Sequence, residues 1–400
     1  MKFLAKMKEK QMQRKISGIL CGLLCAGGVL VIPSAWADNY FGDNGKTYMV
    51  TGANVLLDSG NYDAVYGGYN NTNVSPPEVF KNNVTITGTV ETNIVCGAYS
   101  FYGNVRENTV TISGNTLGNV VCGGGTGAAD AMKNHVIIEA NSEVNGIVYG
   151  GKGVTSSKEN DVTISDSTIN KTVYGGYADN DNNGSAEKNN VTISAGSKVS
   201  GSIYGGYANH NANENKVSFS NVAEVGENVF GGYSLKADSK KNEVTIEGAG
   251  VVTEYVAGGV AVAGISEGNK VNIAHSSVNE NVYGGYGAKD SIGNIISITD
   301  GSSVNKNVYG GYSFKGNSLD NTVTIDNSTV NENVYGGYME SDGAISEKIQ
   351  NNKVIFKNGA KIKGDVYGGY DNLSKANITN NTLEVVGKGN EAKSIQNFDK

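Results

Sequence analysis

Twelve times along this chain one phrase recurs with variations: an Asn-x-Val-x-Ile segment, a lone aliphatic residue, then Val-Tyr-Gly-Gly-Tyr and a polar tail of variable length. The first glycine of the pair stands at Gly67, Gly97, Gly123, Gly150, Gly175, Gly205, Gly231, Gly258, Gly284, Gly310, Gly336 and Gly368. Successive spacings run from 25 to 32 residues and cluster at 26. A period of this length means stacked supersecondary units, none of which can bury its apolar face alone. Two residues before the glycine stands Val or Ile in all twelve copies, from Val65 to Val366.

Within a copy, apolar and polar residues alternate, as in Val162-Thr163-Ile164 and Val323-Thr324-Ile325. That is the period of a half-buried strand. A third apolar mark lies six residues before the first glycine in ten of the twelve copies. The pattern predicts an all-β chain, a parallel β-solenoid of about twelve coils of ~26 residues with three short strands each. Like residues then stack about 4.8 Å apart, for a rod of roughly 58 Å. An Asn lies two residues before the first Val of each strand pair, from Asn82 to Asn381. Amides stacked in register can satisfy one another along such a rod.

Length variation is confined to the segment after Gly-Gly-Tyr. The next strand begins 12 or 13 residues after the first glycine in most copies, but 17 after Gly67, 16 after Gly175 and 18 after Gly336. One corner therefore carries the loops, where solenoids place variation and contacts.

Residues 1–37 read as a signal peptide. A basic start leads into an apolar run from Ile16 to Pro33, and Ala35-Trp36-Ala37 forms a cleavage pattern. A retained membrane anchor is the alternative, although the run is short for a span. Residues 38–64 look like an N-terminal cap or degenerate first coil, 65–386 like the repeat domain, and 387–400 like an exit from the repeats. Residues 1–37 hold six of the 32 basic residues and one of the 39 acids, so the remainder is strongly acidic, with Arg106 its only arginine. Such a surface argues against nucleic acid as a partner.

Candidate sites are of three kinds. If the Val before the glycine faces inward, alternation turns the next residue outward, which makes Tyr174, Tyr204, Tyr283, Tyr309, Tyr335 and Tyr367 a candidate file for stacking on sugar rings. The alternative is that these rings stack on one another to stabilise the rod. A second file, from Tyr69 to Tyr370, is expected to face the opposite way. Cys96 and Cys122 hold equivalent places in adjacent copies. Their α-carbons would fall inside the window for a disulfide, although parallel Cβ vectors strain its torsion, so a thiol pair filling the aromatic slot stays open. Asp179, Asp181 and Asn183 open a D-x-[DN]-x-[DN]-G calcium-loop pattern, but Asn190 stands where the bidentate Glu is needed, which favours an ordinary polar loop.

The repeats, of the form Asn-Asn-Val-Thr-Ile-Ser…Val-Asn-x-Asn-Val-Tyr-Gly-Gly-Tyr behind a long signal peptide, resemble the passenger domains of bacterial autotransporters of the type V secretion class. The resemblance covers about residues 1–390. It implies a right-handed β-helix displayed on the surface of a Gram-negative bacterium, an outer-membrane β-barrel translocator as partner, and adhesion to host or bacterial surface glycans or proteins. No barrel pattern is present up to Lys400, so the reading expects a longer protein. The carboxylates are scattered, and His135, His210 and His275 lie in separate copies, which disfavours an enzyme. No cofactor is expected. The leading expectation is a non-enzymatic adhesin-like passenger. A passive stalk comes next, then a polysaccharide-active enzyme, and last an ice-binding face built on Thr85, Thr111, Thr163, Thr192, Thr245 and Thr324.

Overall fold

The structure, a computed structural model, describes residues 39–42, 51–71, 78–221, 224–248, 250–340 and 347–400. The signal-peptide reading of 1–37 lies outside these residues. The described chain contains no helix and winds into a parallel β-solenoid of about twelve turns. One coil shows the plan. Asp161–Ser165 is followed by Thr168–Ile169, then by Val173–Ala178 and finally by Ser185–Glu187. Each strand pairs in parallel with its counterpart one coil on, as in Val162 with Val191, Tyr174 with Tyr204, and Ala186 with Ala212.

The first three strands are those the alternation predicts, and their copies form a single sheet of 34 strands. The fourth, in the polar tail, adds a second sheet of 12 strands. It carries little readable apolar alternation because its one inward residue is small or polar in most coils, as with Ser157, Ala186, Ala212 and Ser239, all fully buried, while Val79, Val105 and Ile349 fill the place near the two ends. Serine is tolerated there because its hydroxyl has a backbone partner, as in Ser239 Oγ to Gly232 O at 3.1 Å.

The inner core is a column of Val and Ile from every coil, including Val162, Ile164, Ile169 and Val173. Along one corner of the coil runs the asparagine ladder. Each amide donates from Nδ2 to Oδ1 of the Asn one coil on, from Asn82 to Asn108 at 2.9 Å through to Asn352 to Asn381 at 3.0 Å. The same Oδ1 also accepts the preceding Asn backbone N–H, as in Asn189 N to Asn215 Oδ1 at 3.1 Å. All twelve side chains are fully buried. The residue before each ladder Asn is left-handed: Lys81, Glu107, Lys133, Glu159, Lys188, Glu214, Lys241, Asp320, Asn351 and Asn380, with Gly268 and Gly293 completing the set. This turn aims the amide inward.

The segment after Gly387, expected to leave the repeats, continues them. Glu391–Gln396 pairs with Lys361–Asp371, setting Ile395 beside Val366. Phe398 packs on the core, and the Asp399 carboxylate accepts the Asn381 backbone N–H at 3.1 Å, the place filled by the next Asn in earlier coils. The coil over Asn54–Asn70 likewise pairs with the next along its length, with a bulge between Leu57 and Ser59 and with Ala53 at the ladder position.

Candidate functional site

The Gly-Gly pair shapes the surface next to it. A Cβ on Gly175 would lie 2.5 Å from Gly205 O, and one on Gly176 would lie 2.2 Å from Asn189 Nδ2. Both positions therefore face inward, one against the next coil's backbone and one against the ladder amide. Two consecutive inward residues break the alternation, and Gly175 drops out of the pairing that joins Val173, Tyr174, Gly176, Tyr177 and Ala178 to the next coil. Tyr174 and Tyr177 consequently emerge on the same side. This corrects the expectation that the two tyrosine files face opposite ways.

The result is an aromatic layer outside the aliphatic core. Rings of the first file lie face to face from coil to coil: Tyr174 and Tyr204 at 5.0 Å and 11°, Tyr283 and Tyr309 at 5.0 Å and 6°, Tyr309 and Tyr335 at 4.9 Å and 5°, Tyr335 and Tyr367 at 5.1 Å and 6°. The second file stacks in the same manner, as in Tyr207 and Tyr233 at 5.4 Å and 1°. Within a coil the two rings meet edge to face, as in Tyr309 and Tyr312 at 5.5 Å and 82°.

This packing leaves little ring surface for a ligand. Tyr174, Tyr204, Tyr283 and Tyr335 keep 7%, 5%, 3% and 7% of their surface, and only Tyr309 and Tyr367 of the six candidates are half-buried rather than buried. The outward exposure read from alternation is not found, because neighbouring coils cover both faces of each ring and the second file covers an edge. Burial among other rings pushes the Tyr207 and Tyr283 hydroxyls well above the ordinary tyrosine value, and raises that of Tyr338 to about 12. The Tyr283 and Tyr335 hydroxyls each meet an amide, Asn281 and Asn333, at 3.1 Å.

Cys96 and Cys122 interrupt the first file. They are Cα partners, buried, and present as thiols. Tyr66 lies beside Cys96 in the preceding coil and Tyr149 beside Cys122 in the following one.

The calcium-like loop lies at the variable corner. Asp181 Oδ1 accepts from Lys236 Nζ at 3.1 Å and from Asn209 Nδ2 at 3.0 Å, while the Asn180 side chain accepts from the Asn182 backbone N–H at 2.9 Å. An ammonium and an amide thus occupy the carboxylate that the calcium reading assigns to an ion, and the loop is tied across two following coils. Among the described residues no three His, Cys, Asp or Glu side chains are placed to hold a metal together. The histidines stay apart: His135 Nδ1 is 3.1 Å from Asp161 Oδ2, which raises its pKa, and His275 occupies a left-handed corner.

No family model matches the chain, and neither a curated protein nor a solved structure matches it. The class defined by the fold is the parallel β-solenoid.

Proposed function

We propose that this protein is an exported, non-enzymatic cell-surface solenoid of the autotransporter-passenger kind, adhesin-like, whose contacts are made by the corner loops rather than by the tyrosine files. The observation that carries this reading is the contrast between a rod held in strict register and one corner that absorbs all the large insertions. In the coil around the Asp179–Gly184 insert, the paired residues Val162 with Val191 and Tyr174 with Tyr204 keep register while the loop alone lengthens. A rigid scaffold bearing variable loops is the usual arrangement of a recognition surface. Its partners are host or bacterial surface glycans or proteins, and an outer-membrane barrel is the translocator it calls for.

The test is retention of the purified protein on a panel of glycans and matrix proteins, with released sugar recorded in parallel. Saturable retention, lost when residues 179–184 and the inserts after Gly67 and Gly336 are trimmed to the common loop length, is the expected result. Released sugar would replace the adhesin with an enzyme. The second reading, a passive stalk, is favoured by the buried rings and would stand if no retention occurs.

A further inference from the structure

In residues 38–400 cysteine occurs at two positions only, and these are neighbours in the fold. Cys96 and Cys122 are register partners on adjacent parallel strands, flanked by the pairs Val95 with Val121 and Ile94 with Val120. They keep 1% and 4% of their surface. We propose that the pair is a binding site for a single soft, two-coordinate monovalent cation of the copper(I) or silver(I) class.

Spacing is the first argument. In-register neighbours on parallel strands have Cα atoms about 4.8 Å apart and Cβ vectors that run side by side, so like rotamers hold the two sulfurs at about the same separation. A disulfide needs sulfurs about 2.05 Å apart and Cβ atoms about 3.8 Å apart, which requires the parallel vectors to tilt together. A metal–thiolate bond is about 2.3 Å long, so a linear sulfur–metal–sulfur unit spans about 4.6 Å and fits with little movement.

Coordination number is the second argument. Tyr66 and Tyr149 continue the file on either side of the pair and are themselves buried, so the sulfurs lie between ring neighbours. Among the described residues no third His, Cys, Asp or Glu completes a metal cluster. Zinc, which takes four ligands in structural sites, finds two. Soft thiolates select copper(I)-like ions, and a closed-shell cation of that class is satisfied by two sulfurs in line. The second file also thins at this point: Gly125 and, one coil on, Lys152 stand where most coils carry tyrosine, and a Cβ on Gly125 would lie 3.5 Å from Cys122 Sγ and 3.1 Å from Tyr99. Gly125 therefore sets no second-file ring beside the Cys122 sulfur from its own coil. Binding is an exchange without redox change: each thiol gives up its proton to water as its sulfur bonds the cation, so one cation enters and two protons leave.

The experiment uses the full chain with Cys21→Ser and Cys25→Ser, reduced and kept anaerobic, titrated with silver(I) alone and followed by native mass spectrometry. The expected product carries one silver ion and has lost two protons, and zinc(II) under the same conditions is not retained. Cys96→Ala and Cys122→Ala should each weaken silver binding at least 100-fold. Alanine stands at the same file position at Ala257, fully buried, so the fold accommodates it, and an unchanged circular-dichroism spectrum verifies this. Cys122→Ser is the second variant should Ala disturb packing. Equal binding by a single-cysteine variant, equal retention of zinc, no stoichiometric uptake, or a re-formed disulfide that blocks silver would each overturn the proposal.

Discussion

At the scale of the residue, the ladder asparagines and the first glycines carry the most strain-sensitive contacts. Asn215 Oδ1 accepts both the Asn189 side-chain amide at 2.9 Å and the Asn189 backbone N–H at 3.1 Å. Asn215→Ala leaves both donors buried without that acceptor, at about 1–3 kcal/mol each. A loss of about 2–5 kcal/mol in urea unfolding is expected, whereas a change below about 1 kcal/mol would show that water replaces the amide. The two glycines of a pair should differ. Gly231 has the Gly258 carbonyl 2.4 Å from its would-be Cβ, and backbone cannot yield. The second position meets a ladder side chain, and Ala98 already occupies it in one coil, fully buried. Gly231→Ala is expected to cost about 1–3 kcal/mol and Gly232→Ala less, the order being the point to check by thermal melting. At the left-handed corner, Lys188→Gly should stabilise by up to about 1 kcal/mol, since Lys188 holds a φ of 55° where Gly268 and Gly293 serve elsewhere.

At the scale of the element, the double tyrosine file is a second core built on the outside of the first. Each stacked or edge-to-face pair adds about 0.5–1.5 kcal/mol beyond the area it buries. The hydroxyls are neutral in the fold and their ionisation is opposed by burial, so their folded pKa values lie above the unfolded value near 10. A raised pKa means that the native state retains protons the unfolded chain has lost. Stability from the file is therefore complete below about pH 10 and falls as pH rises through the folded values, with Tyr338 ionising at about 12. Tyrosinate absorbance should lag the free-tyrosine curve and then rise together with loss of the β-sheet signal. Titration of most rings near pH 10 in intact protein would mean that the file is open to water.

At the scale of the whole molecule, the rod is a sum of nearly identical interfaces. Within the core each coil packs on its neighbours, the Lys236–Asp181 link at the corner loop reaching one coil further, so stability is nearly a sum of local terms and a whole unit can be removed. Excision of residues 294–320 joins Gly293 to Asn321 and returns a ladder Asn to the place of the one removed, because Asn269, Asn294 and Asn321 donate in sequence. The expected product remains a solenoid, shorter by about 4.8 Å in small-angle scattering. Collapse of the β signal would show that the stack depends on long-range order. Surface Lys–Glu pairs between successive coils, such as Lys198 with Glu224 at 2.7 Å and Lys306 with Glu332 at 2.9 Å, are half exposed and add little each.

The coil, its period, its three apolar strands and the asparagine ladder were legible in the residues, because each depends on a local pattern repeated twelve times: an apolar residue every second place, or an amide at a constant offset. Tertiary structure decided what no single copy contains. In most coils the fourth strand is held by neighbours rather than by apolar residues of its own, so Ser157 and Ala186 announce nothing on their own. The shared facing of Tyr174 and Tyr177 follows from two glycines that both turn inward against Gly205 and Asn189 of the next coil. The burial of the rings follows from that facing, since a ring is covered only when the coils above and below bring theirs into register. Sequence alone determined the path of the chain; contact between coils determined which of its side chains remain at the surface to meet a partner.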